Sequence, residues 1–355
     1  MDTEKNNTEA RSGRTSRGKL IGVCVLAVCT AICLGLSFWT VSMAKEQQAR
    51  VASIDALKSS LTSFEQKVEN WKMPEGMEEE NYENIKKAAL QEAEHGLEVL
   101  NKINTDKRID NETYAKAQAA AQNKTGETYL SIIEKSDEIP VEYLDALGRN
   151  TERLEFVSKY FDRDQYQKAP ESVKEDLSTV PHYVQWDLDW GYIPYGDGII
   201  GFYGCGPTSL AMVYSYLNQD NTILPSTIAA YSDENGYYVP GVGTNNALLV
   251  DTAPLYNASV EALAIDEETV TNALNNGEVL ILSMVPGDFT RTGHFIVAYG
   301  IQDGKLLIRD PNSYANTNKL WDIQTVLDQS NAIYGYSKLE SADGTTTDET
   351  VDVYQ

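Results

Sequence analysis

The chain has 355 residues and a net charge of −24, with 53 acidic against 29 basic side chains. That excess of negative charge argues against nucleic acid and anionic lipid headgroups as partners of the soluble part, since both are polyanions. The length leaves room for one ordinary domain and a helical region beside it.

The first element is an uncharged apolar stretch, Leu20–Ala44. About 20 apolar residues cover the roughly 30 Å hydrocarbon core of a bilayer, so the stretch is long enough to span one. It also exceeds the core of a signal peptide, although Ser42-Met43-Ala44 offers a small-residue cleavage site as the alternative. Arg11, Arg14, Arg17 and Lys19 crowd its N-terminal side. The positive-inside rule then places a tail, residues 1–19, in the cytoplasm and residues 45–355 outside the cell membrane. That tail carries five positive and three negative charges, so the rest of the chain holds −26.

After the anchor, Ile54, Leu57, Leu61, Phe64, Val68 and Trp71 recur at spacings of three and four, an apolar stripe on a helix. Met73-Pro74-Glu75-Gly76 ends it. A second helix is expected over about Met77–Asn104, and a third, alanine-rich one over about Asn111–Lys135. Together they predict a helical stalk or small bundle over residues 45–139, with its stripes used as core or for self-association.

At Pro140 the texture changes. Val141–Leu147 and Thr151–Tyr160 predict two short helices, the second capped by Asn150 or Thr151. From Val180 onward glycine, tyrosine and β-branched residues dominate and the helical period gives way to short strands. A catalytic domain is therefore placed at 140–340, followed by a disordered acidic tail, 341–355. Two glycine- and aromatic-rich segments, Trp186–Gly196 and Gly236–Gly243, either line a substrate groove or are ordered surface loops.

Three of the four cysteines, Cys24, Cys29 and Cys33, lie in the anchor, which leaves Cys205 alone in the soluble part. It cannot form an intramolecular disulfide there, so the fold rests on its core. Gly204-Cys205-Gly206-Pro207-Thr208-Ser209 opens a stretch that reads as a helix, with proline in the first turn where no donor is lost. A cysteine at a helix start is set among free amides that favour a thiolate.

A thiolate nucleophile needs a base, and the chain has only three histidines. His95 lies on a charged helical face; His182, in Val180-Pro181-His182-Tyr183, reads as a rim residue. His294 stands in Gly293-His294-Phe295-Ile296-Val297-Ala298, an apolar run that reads as a strand. The next strand, Lys305–Arg309, is joined to it by an Asp303-Gly304 turn and delivers Asp310 at its end. A carboxylate there would orient the imidazole and stabilise its cation. Acyl transfer also needs donors for a developing oxyanion; the amide of Cys205 is one, and Gln185 is the upstream side-chain candidate. With one external cysteine and scattered histidines, neither a zinc site of common type nor any other cofactor is indicated.

Gln185, Gly204–Ser209, Gly293-His294-Phe295 and Asp310-Pro311-Asn312-Ser313, in this order, resemble the peptidase family C39-like domain over about Pro181–Ser337. Its best-known members are papain-like cysteine peptidases that trim double-glycine leaders from bacteriocins. The resemblance implies an α+β papain-like fold with Cys205 as nucleophile, His294 as base, Asp310 as orienting acid and Gln185 as oxyanion donor. The chain has no transmembrane bundle and no phosphate-binding motif of the leader-trimming exporters, so neither export nor double-glycine specificity is implied. The reading is a membrane-anchored bacterial peptidase acting on peptides or proteins outside the cell. The alternatives are an amidase or endopeptidase acting on cell-wall peptides, and a papain-fold binding module without turnover.

Overall fold

The computed structural model describes residues 9–339, with side chains from residue 28 onward. The acidic tail expected at 341–355 and the cationic side chains before Leu20 lie outside these described parts. The chain divides into two compact units, residues 1–72 with 86–133, and residues 73–85 with 134–355.

Among its described residues the first unit has helices and no strand. Helix α1, Glu9–Glu69, is continuous from the apolar stretch into the predicted stripe. Its apolar part is the one helix among the described residues that is long and apolar enough to cross a membrane. Helix α2 is Glu79–Asn101. Ile54, Leu61, Leu100, Ile109 and Ala117 form a small buried core, with Leu57, Leu97 and Tyr114 packed against it. The long helix predicted over 111–135 is two helices, α3 (Asn111–Ala121) and α4 (Lys124–Glu134). The break has a local cause: Asn123 accepts from the Gly126 amide at 2.9 Å and donates to the Glu92 carbonyl at 3.1 Å. Asparagine competes in this way with the helix ladder.

The second unit opens its main body with helix α5, Val141–Arg149. The second short helix expected over 151–160 is fragmented. A 3₁₀ turn, Thr151–Arg153, leads into helix α6, Leu154–Ser158, and another 3₁₀ turn, Tyr160–Tyr166. Asn150 is the cap, its side chain accepting from the Glu152 amide. A small hairpin of strands β1 (Pro194–Tyr195) and β2 (Gly198–Ile199) precedes the short helix α7, Ile200–Tyr203. Helix α8, Cys205–Asn218, follows at once, then α9, Pro225–Glu234. A second small hairpin pairs β3 (Tyr238–Val239) with β4 (Gly243–Thr244).

The main sheet has five antiparallel strands: β5 (Ala258–Leu263), β6 (Val279–Met284), β7 (His294–Gln302), β8 (Lys305–Arg309) and β9 (Ser330–Lys338). Their spatial order is β5-β9-β6-β7-β8. Residues of β6 are buried without a break because both faces of the sheet are covered. On one face Ile281, Phe295, Val297 and Tyr336 pack with Leu210, Val213 and Tyr214 of α8. On the other, Leu280, Leu282, Ile296 and Ile308 pack with Val270 and Leu274 of helix α10 (Glu267–Asn275) and with Val326 of helix α11 (Ile323–Leu327). Successive residues of a strand point to opposite faces, so the alternation 280/281/282 fills two cores. An antiparallel sheet with a buried helix laid on it is the α+β, papain-like class expected from the sequence.

Candidate active site

Cys205 is the first residue of α8 and is partly buried. Its glycine neighbours are required by space. A Cβ on Gly204 would lie 2.5 Å from Ile200 Cγ2, and one on Gly206 would lie 2.7 Å from the Thr244 Cβ. Both glycines are approached closely by the protein's own α7 and β4. Gly204 has an ordinary negative φ, so left-handed freedom is not what the turn uses. Pro207 sits in the first turn, and Ser209 Oγ donates to the Phe295 carbonyl at 3.4 Å, tying α8 to the strand that carries His294.

His294 begins β7, and Asp310 follows the last residue of β8. The two strands are joined by Asp303 and Gly304, both at positive φ, as the two-residue hairpin requires. Arg309 pairs with Val297 across the ladder, so the chain leaves β8 beside the start of β7. There His294 Nε2 and Asp310 Oδ1 are 2.7 Å apart, both side chains buried. With Nε2 on Asp310, Nδ1 is the nitrogen left for another partner, and Cys205 is among the groups that act on the charge of His294.

The electrostatics follow from burial and pairing. Burial disfavours the imidazolium, but attraction and hydrogen bonding from Asp310, then from Cys205, outweigh it and raise His294 to about 10. Burial likewise disfavours the Asp310 carboxylate, yet His294, the Asn316 side chain and the Asn312 amide hold it below the usual carboxylate range. Asp310 Oδ1 also accepts from Asn312 N at 2.8 Å, and Oδ2 from Asn316 Nδ2 at 2.7 Å. Three donors, two on Oδ1 and one on Oδ2, thus hold the carboxylate in place.

Gln185 is 3 % exposed. Its backbone amide donates to the Pro311 carbonyl at 2.7 Å, and its Nε2 donates to the Gly201 carbonyl at 3.0 Å. Gly201 lies on α7, four residues before Cys205. An amide nitrogen has two N–H groups, and one bond to Gly201 leaves the other for a ligand. The four predicted residues therefore fall on one connected framework. His294 and Asp310 are bonded, Cys205 opens the helix that follows α7, and Gln185 is tied to both α7 and the Asp310 loop.

His182 is not a free rim residue. Its Nε2 lies 2.7 Å from the Asp310 carbonyl oxygen and 3.0 Å from Thr317 Oγ1, bracing the backbone of the acid. Burial pushes its pKa down. Trp186–Gly196 is an ordered loop: Trp190, Tyr192 and Tyr195 are buried, and Trp190 donates to the Val184 carbonyl at 2.8 Å. In Gly236–Gly243 the tip is open, with Val242 78 % exposed. Among the described residues there is no cluster of histidine, cysteine and carboxylate side chains suited to a metal.

Sequence reasoning missed Asn316, Thr317 and Arg153. Asn316 stands six residues after Asp310, and its amide could have been suspected as a carboxylate donor. Arg153 gave no signal: it reads as one more charge on a short helix, whereas it is buried, with Nη1 on the Gly201 carbonyl at 3.2 Å.

Comparison with known proteins matches this part of the chain to a family. Residues 177–341 match the Peptidase_C39 like family. The resemblance read from the motifs holds over the region that carries them. Among solved structures, the peptidase domain of Streptococcus ComA, a bifunctional ABC transporter involved in a quorum-sensing pathway, is 18 % identical. That match covers 39 % of this chain and 93 % of the other, with a TM-score of 0.31. A candidate C39-like peptidase from Bacillus anthracis is also 18 % identical, over 46 % of this chain and 96 % of that one, with a TM-score of 0.32. No curated protein matches the chain. The C39-like region contains Gln185, Cys205, His294 and Asp310, and it begins after α5 and α6.

Proposed function

We propose that the chain is a membrane-anchored cysteine peptidase whose C39-like region faces the outside of the cell. The observation that carries this reading is the His294–Asp310 bond at the start of β7, with Cys205 at the first position of a buried helix and acting on the charge of that histidine. Cys205 is the nucleophile, His294 the acid and base, Asp310 the orienting acid and Gln185 the oxyanion donor.

In the first half-reaction the Cys205 sulfur attacks the scissile carbonyl carbon, and electrons move to the carbonyl oxygen. The second Nε2–H of Gln185 and the Cys205 amide donate to that oxyanion. The imidazolium then gives its Nδ1 proton to the departing amine, leaving a thioester. A water, deprotonated by Nδ1, attacks the thioester; the acid leaves and the thiolate–imidazolium pair returns. Asp310 keeps the imidazole ring in register through both transfers without itself taking the proton.

The anchor is the apolar part of α1, and the positive cluster before it sets the orientation. Incubation of the purified full-length chain in detergent with a mixed peptide library, beside Cys205→Ala, tests the activity. Cleavage by the native chain and none by the variant is expected. Release of fragments from purified peptidoglycan with an untouched peptide library would replace the substrate class with cell-wall peptides. Equal product from both proteins would remove the role of Cys205.

A further inference from the structure

The segment Asn150-Thr151-Glu152-Arg153 lies upstream of residues 177–341, yet its side chains meet the loop that carries Asp310. Asn150 Nδ2 donates to the Asn312 carbonyl at 2.6 Å. The two oxygens of Glu152 accept one amide each, from Tyr314 and Ala315, both at 2.9 Å. Arg153 Nη2 donates to Asn312 Oδ1 at 2.5 Å, and Nη1 to the Gly201 carbonyl at 3.2 Å. Three side chains within four residues thus hold one six-residue turn.

Arg153 joins two parts that the chemistry needs in register. The Gly201 carbonyl that accepts from Arg153 also accepts from Gln185 Nε2. On the other side, Asn312 accepts from Arg153 while its own amide donates to Asp310 Oδ1. One planar guanidinium therefore links the oxyanion side of the site to the acid side, a geometry an ammonium cannot reproduce.

The arginine is only 6 % exposed, and none of the ion pairs among the described residues involves it. Burial, then repulsion from Arg149, lowers it to about 9, against attraction from Asp310, so it is cationic at neutral pH. A buried cation held by neutral dipoles is costly, and a residue chosen for stability alone would more simply be apolar.

We propose that Asn150, Glu152 and Arg153 form a clamp that sets the two halves of the active site, with Arg153 as its positioning residue. The proposal rests on reading Gln185 and Asp310 as oxyanion donor and orienting acid. The minimal working peptidase then includes the lead-in segment as well as the family-matched region.

The test uses the full-length chain in detergent with Arg153→Met, Arg153→Lys and Glu152→Gln. The two Arg153 variants should lower kcat about 10- to 100-fold with KM within about twofold, as expected for small misplacement of reacting groups. Lysine should not rescue. Arg153→Met combined with Gln185→Ala should lose less kcat than the product of the two single losses, because both residues act on the Gly201 carbonyl of the oxyanion side. Amide exchange at Tyr314 and Ala315 should speed up at least tenfold in Glu152→Gln. Normal kcat in a folded Arg153→Lys, or losses that multiply in the double variant, overturns the clamp. If Arg153→Met does not fold, Arg153→Lys and Glu152→Gln decide. Absence of turnover in the native chain counts against the peptidase reading alone. Exchange across 310–316 then judges the clamp, and unchanged exchange in both Arg153→Lys and Glu152→Gln overturns it.

Discussion

His294 Nε2 and Asp310 Oδ1 stand 2.7 Å apart at the end of a two-residue hairpin, and this bond sets how the site responds to pH. His294 is raised above its ordinary value, so its stabilising contribution is complete below about pH 6.5 and lost as pH rises through about 10. Asp310 is lowered, so its contribution is present above its unfolded value of 3.8 and lost as pH falls through its folded value. The stability difference between the native chain and His294→Gln should therefore be largest between about pH 4 and 6.5 and shrink toward pH 10. Denaturant unfolding at a series of pH values checks this. A difference that grows from pH 6.5 to 10 would show an imidazole kept neutral.

Asp310 also shapes the rate profile. The kcat/KM of the native chain should be bell-shaped in pH, with limbs that belong to the coupled Cys205–His294 system. Asp310→Ala removes the largest attraction on the imidazolium. Its alkaline limb should move to lower pH and its kcat fall. An unmoved alkaline limb would separate Asp310 from the titration.

Gln185→Ala should lower kcat by roughly 10²-fold with little change in fold, the usual cost of one oxyanion donor. Circular dichroism and steady-state kinetics on the same preparation distinguish this from misfolding. Normal kcat with an intact fold would move the donor role elsewhere, with Trp186 the next residue to test.

Gly206→Ala tests the packing around the nucleophile. Its new Cβ would meet Thr244 Cβ and Cγ2 at 2.7 Å, and Thr244 is itself bonded to the Tyr195 hydroxyl at 2.7 Å. Overpacking of this kind costs about 1–3 kcal/mol. Thermal unfolding should show a clear loss, and an unchanged Tm would show that Thr244 gives way at no cost.

The site was legible where chemistry is carried by rare residues. One soluble cysteine and three histidines left few combinations, and the Asp303-Gly304 turn announced the hairpin that brings Asp310 back to His294. The α8 helix and strands β7 and β8 were legible because apolar runs bounded by glycine and aspartate leave little ambiguity. The break at Gln122-Asn123 was not, because alanine content suggested continuity while a single asparagine side chain decided otherwise. His182 and Arg153 were not, because both act on backbone carbonyls distant in sequence, and such contacts leave no periodic trace. The constraint on Gly206 was not legible for a related reason: a neighbour 38 positions away, Thr244, sets the limit on its size.

The coupling of Cys205 to His294 is the centre of the proposed mechanism, and the alkylation rate of that one thiol tests it most directly. Full-length chain is treated with iodoacetamide at pH 6 and the rate at Cys205 is followed by peptide mass spectrometry, native beside urea-unfolded. An ion-paired thiolate predicts labelling at least ~10-fold faster in the native chain, and a slowing to the unfolded rate or below in His294→Ala. Equal rates in the native and unfolded chains, or a His294→Ala rate matching the native one, would contradict the dyad.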